Sequence, residues 1–210
     1  MKNNHLFFFF SILVLTLILS HFSKELLDTD KLLVNTLIES LTGDQINEIL
    51  EAKNKWQWLS YVIVPLLLLI KISLITALID MGCFFFNQKL KYKAIFNMVV
   101  KAEFVFLLVI VFKTAWFYFF QPNYTLQDLQ YFYPLSAINI VGYDGLDPWW
   151  VYPFQVLNLF ELAYWFILAY LLGKAINANT NKGLSIVASS YGVSLLIWVV
   201  GVMFFTLNMS

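Results

Sequence analysis

The sequence predicts an all-α fold, a polytopic transmembrane helix bundle of about five spans, and three observations carry that class. The chain is 60% hydrophobic and only 12% charged, a balance that excludes soluble and disordered classes. Apolar runs recur that match the about 20 helical residues needed to cross a ~30 Å hydrocarbon core. Lysines and acidic residues fall in alternating connections, as they do when successive loops lie on opposite sides of a bilayer. The basic residues are all Lys and the formal net charge is zero, so nothing points to nucleic acid as a partner.

Residues 1–22 are a signal anchor or first span. The run from Leu6 to Phe22 follows Lys2 and is long for a signal peptide. Ser20 offers a small residue for cleavage, but Ile18 fits the small-x-small site poorly, which favours an uncleaved anchor. Residues 23–56 then turn acidic through Glu25, Asp28, Asp30, Glu39, Asp44, Glu48 and Glu51. Leu33, Leu37 and Leu41 repeat at helical spacing, Gly43 interrupts them, and Thr42 with Gln45 forms a T-x-x-Q box that opens another helix. Two short amphipathic helices are expected in this exported insert, lying on the membrane surface or over other spans.

Residues 57–207 form a four-span domain. Its first span runs from about Trp58 to Phe86 across Pro65, which should kink it. The basic turn Lys89, Lys91, Lys93 leads into the next span, which ends at Phe120 with Trp116 and Tyr118 as an interfacial belt. Residues 121–153 have no lysine and are rich in Tyr, Trp and Pro, which suits an interfacial or partly re-entrant segment with short-helix or strand character. Phe154 to Lys174 is read as one helix with Gln155, Asn158 and Glu161 on a single side. Ala169 and Gly173, four apart, are small enough for close helix approach, as are Ser185, Ser189 and Gly192 on the last span. The single cysteine, Cys83, cannot form an intrachain disulfide.

Ionisable side chains inside spans need internal partners. Counted at ~1.5 Å per residue, Lys113 matches Glu161 in depth, Lys71 matches Glu103, and Asp80 matches Lys101. Together with Asn158 these residues are the candidate intramembrane polar network. Paired charges of this kind either fix helix register or line a route for protons, ions or a headgroup, and pairing that already offsets desolvation favours the first role. His5 and His21 are the only histidines, and no H-E-x-x-H, G-x-S-x-G or P-loop occurs. Asp144 and Asp147 in GYDGLD read as turn chemistry. No catalytic residue, metal site or cofactor is therefore assigned.

SLTGDQINEILEAKNK, the short turn into YKAIFNMVVKAEFVFLLVIVF, and LNLFELAYWFILAYLLGKA before a last span together resemble the Ypt-interacting protein (YIP) domain family, in its bacterial branch. Leu157, Asn158, Leu159, Phe160, Trp165 and Gly173 carry the most specific part of the likeness. The turn FFFNQKLKYK has lysines where the family often has glycines. The resemblance implies a five-span integral membrane protein without catalytic machinery. The expected role is a non-enzymatic scaffold or membrane-organising partner, and the alternative is a transport component that moves a small ion or lipid headgroup. The expected partners are the lipid bilayer and other membrane proteins or a second copy of the chain. Lysine placement gives a multi-pass cell (inner) membrane protein with a cytoplasmic N-terminus and an exported C-terminus. A cytoplasm-active reporter fused after Ser210 should be silent, and strong reporter activity would contradict this topology.

Overall fold

The computed structural model describes residues 4–38 and 40–209, with side chains from residue 6 onward. Lys2, Glu39 and Ser210 lie outside the described residues, as does the side chain of His5. Among the described residues eleven α-helices and one π-helical turn follow one another, and no strand forms. Four of the helical stretches, Leu6–Leu26, Gly43–Phe85, Tyr92–Phe119 and Thr180–Met209, are long and apolar enough to cross a membrane.

Helix α1 (Asn4–Leu26) presents most of its surface outward, with Ile12 as its inward anchor. Helix α2 (Thr29–Ile38) is the amphipathic helix expected in the insert. The second such helix does not exist as a separate unit. The Thr42–Gln45 box does start a helix, since the Gln45 side chain accepts from the Thr42 amide at 3.0 Å. That helix, α3 (Gly43–Phe85), continues without interruption past Pro65 to the end of the next apolar run. No turn residue separates Trp56 from the apolar run, so the helix had no local reason to stop. Asp30 on α2 bridges Lys24 at 3.1 Å and also pairs with Lys53, which clamps α1, α2 and α3 together. The hydrogen bond from Lys53 is the main reason the Asp30 carboxyl sits below its ordinary range.

Helices α4 (Tyr92–Glu103) and α5 (Val105–Phe119) are separated by Phe104 alone, whose backbone stays right-handed helical. The core centres on α4, where Ile95, Val99, Val100 and Ala102 are buried against Ile72, Ile75 and Ile79 of α3 and Leu168 and Leu172 of α9. A second, smaller cluster of Leu27, Phe117 and Leu129 closes the end opposite the lysine-rich turns. There the Tyr124 hydroxyl donates to the Leu27 carbonyl at 3.0 Å, and Thr114 donates to Ser23 at 2.7 Å.

Residues 121–153 fold into α6 (Leu126–Tyr131), α7 (Ile138–Val141) and the start of α8 (Pro148–Val156). The expected single helix from Phe154 to Lys174 is instead two: α8 ends at Val156 and α9 (Leu159–Ala175) begins beyond Asn158. At 17 residues, α9 is about 25 Å long and does not by itself meet the length of a span. The chain then turns through Asn179, whose side chain accepts from the Lys182 amide at 3.0 Å, into α10 (Thr180–Val187), the π turn Ala188–Gly192 and α11 (Val193–Met209).

Close packing of α9 on α10 rests on glycine. A Cβ at Gly183 would lie 2.1 Å from the Ala169 carbonyl oxygen, and one at Gly173 would lie 2.8 Å from that of Asn179. Ala169 and Gly173 are thus at the tight contact, as their spacing predicts, and so is Gly192, which lies under the Trp165 ring. Ser185 and Ser189 are not. Both are exposed and donate back to their own helix, to Asn181 and Ile186 carbonyls. The residues facing the neighbours are Gly183, against Ala169 of α9, and Ser190, against Gly82 of α3. Gly183→Ala should cost about 1–3 kcal/mol through backbone displacement, read as a lower melting temperature in detergent. Gly201→Ala, with nothing within 4 Å, should leave it unchanged, and equal melting of the two variants would contradict this packing.

Candidate functional site

The break between α8 and α9 is built by local chemistry that the sequence contains. Asn158 adopts an extended conformation and its side-chain oxygen accepts from the Glu161 amide at 2.8 Å, an N-cap with an acidic residue three positions on. That N-x-x-E pattern is a helix-start signal, and the three-residue spacing of Gln155, Asn158 and Glu161 hid it behind an apparent helical face. Interrupting a helix inside an apolar bundle exposes backbone groups that must be satisfied by protein. Residues 135–137 do this: Ala137 donates to the Leu157 carbonyl at 2.8 Å and Leu159 donates to that of Leu135 at 3.1 Å, forming an isolated bridge of Ser136 with Asn158. Leu135 takes a left-handed φ of 54° to make the turn, an uncommon conformation for a branched residue.

The candidate polar residues separate into distinct environments. Lys71 donates to Glu103 at 2.9 Å, where Glu103 is 2% exposed and Lys71 reaches it from the bundle surface with its side chain 44% exposed. The ammonium also lies 4.1 Å from the centre of the Phe106 ring, a cation–π contact that adds to the pair. Lys113 does not meet Glu161. Its ammonium donates to the Leu129 carbonyl instead, because α6 folds back over the end of α5. Glu161 accepts through one oxygen, Oε1, from Trp165 at 2.9 Å and from the Tyr191 hydroxyl at 2.7 Å. The π turn brings Tyr191 to that position, in keeping with the frequent placement of such turns at functional sites.

Asp80 and Lys101 also fail to pair. Lys101 lies 5.0 Å from the centre of the Phe8 ring on α1, and no ion pair joins the two among the described residues. Matched depth along two helices says nothing of the angular position around each, and angle decides whether side chains meet. Asn158 is buried, its amide donating to the carbonyls of Gln155 at 2.9 Å and Val156 at 3.0 Å.

Beside the break lies a cavity of about 830 Å³, within the size range of small-molecule pockets. Phe112, Trp116, Phe132 and Trp165 supply its aromatic wall, and Glu161 is the ionisable residue in it. Leu157, Leu159 and Leu162 line it and are more than half exposed, so it opens on the outer surface of the bundle. No group of His, Cys, Asp and Glu among the described residues could hold a metal ion. Compared with known proteins, the chain matches no family model, no curated protein and no solved structure.

Lys71→Met strands a buried carboxylate and should cost about 3–5 kcal/mol, whereas Lys71→Met with Glu103→Leu should recover most of that loss. Thermal unfolding of both variants checks this, and strictly additive losses would show that the two side chains do not act as a pair.

Proposed function

We propose that the chain is a non-enzymatic integral membrane protein, a scaffold or membrane-organising partner of YIP-like type, crossing the bilayer five times with α8 and α9 forming one broken crossing. Its N-terminus is cytoplasmic and its C-terminus exported in this reading, with the lysine turns at Lys89, Lys91, Lys93, Lys174 and Lys182 on the cytoplasmic side. The single observation that carries the scaffold role is the direct Lys71–Glu103 contact at 2.9 Å around a carboxylate 2% exposed. Charges spent on each other hold helices together. Lys113, committed to a backbone carbonyl, supports the same reading.

The alternative, transport of a small ion or lipid headgroup, is favoured by one feature: Glu161 lines the cavity rather than meeting Lys113. The two readings separate on purification from native membranes in mild detergent. A scaffold should be recovered with a stoichiometric protein partner or as a defined oligomer. A bare monomer that conducts protons or small cations when reconstituted in liposomes would overturn the scaffold reading.

A further inference from the structure

We propose that the cavity at the α8–α9 break is a binding site for a lipophilic monocation, an amine, quaternary ammonium or phosphonium carrying apolar arms, which enters from the membrane and places its charge against Glu161. This goes beyond the scaffold reading and does not depend on it.

The argument is an inventory of hydrogen-bonding groups in the wall. Trp165 and Trp116 spend their indole N–H groups on Glu161 and Gln121. Ser136 and Asn139 donate to the Tyr133 carbonyl, and Asn158 donates to the backbone of its own turn. Apart from the second N–H of the Asn139 amide, the side-chain donors of the wall are used within the chain, so an anion or a phosphate finds little there to hold it. The acceptor side is different. Both bonds to Glu161 go to Oε1, and no ion pair involves this carboxylate among the described residues. Lys71, in electrostatic range of Glu161, is held by Glu103.

A carboxylate in an apolar wall is costly without a countercharge. Aromatic faces attract cations through their quadrupoles, and Phe132 stacks on Trp116 with ring centres 5.5 Å apart. The wall thus offers aromatic faces, an apolar volume and one anionic group, which together select a cation with a hydrophobic body. Donor supply rather than depth argues against a zwitterionic lipid as the occupant: Glu161 lies 14 residues from the α9 terminus at Ala175, ~21 Å along the axis and so about 9 Å inside the other face of a ~30 Å core, where a phosphate tethered to the cation would find no cationic side chain in the wall.

Equilibrium dialysis of the detergent-purified full chain against tetraphenylphosphonium tests the assignment. Saturable binding to one site per chain is expected, weakened at least tenfold by Glu161→Gln and unchanged by Asp80→Asn, whose carboxyl lies outside the cavity. Should Glu161→Gln unfold, as judged by circular dichroism and melting, Ala137→Trp serves in its place by filling the cavity from the turn at residues 135–137, and it should abolish binding. Neutral triphenylphosphine oxide should bind at least tenfold more weakly than the cation, and excess phosphatidylethanolamine should not displace it. Equal binding of the neutral compound, displacement by the lipid, or full retention of binding in Glu161→Gln or in Ala137→Trp would each overturn the proposal.

Discussion

A carboxylate that is 2% exposed inside an apolar bundle is tolerated only if its charge is met there, and Lys71 meets that of Glu103 at 2.9 Å. Removing Lys71 leaves the buried Glu103 carboxylate without its countercharge, a penalty of about 3–5 kcal/mol. The pair links α3 to the C-terminal end of α4, the helix around which the core is packed. Phe106 on α5 shares the same ammonium, so one charge fixes the position of three helices. Tyr164, fully buried on α9, has its ring 5.0 Å from that of Phe106, which carries the constraint to the fourth.

The second constraint is the helix break. An interrupted backbone in the apolar layer forces a donor and an acceptor to be supplied from elsewhere, and residues 135–137 supply both. The segment at residues 135–137 is therefore a structural necessity of the Asn158 cap rather than a decoration of the surface. Once it is in place it walls off the cavity and sets Glu161 at its side. The close contact of α9 with α10 at Gly183, together with the π turn that delivers Tyr191, completes the placement of that carboxylate.

Much of the fold is legible in the sequence because hydrophobic length and lysine segregation are properties of whole segments. The helical class follows from hydrophobic length, while the Thr42–Gln45 helix start and the close contact at Ala169 and Gly173 follow from local residue type and spacing. The misses share one cause: side-chain meeting depends on rotation about the helix axis, which depth counting ignores. Lys113 and Glu161 match in depth yet point to different neighbours, and Ser185 and Ser189 lie outside the contact that Gly183 makes. The break at Asn158 was available as an N-x-x-E cap signal, but the same three residues also fit a helical face. The π turn at Ala188–Gly192 has no sequence mark that we can identify, and Tyr191 was missed as a partner of Glu161 for that reason.

The most direct test of this account is the distance between the Lys71 ammonium nitrogen and the Glu103 carboxyl carbon in lipid bilayers, measured by solid-state magnetic resonance dipolar dephasing on selectively labelled protein. The hydrogen-bonded pair requires a separation within about 4 Å. Absence of dephasing, with the two groups more than about 6 Å apart and Lys71 extended toward the interface, would contradict it.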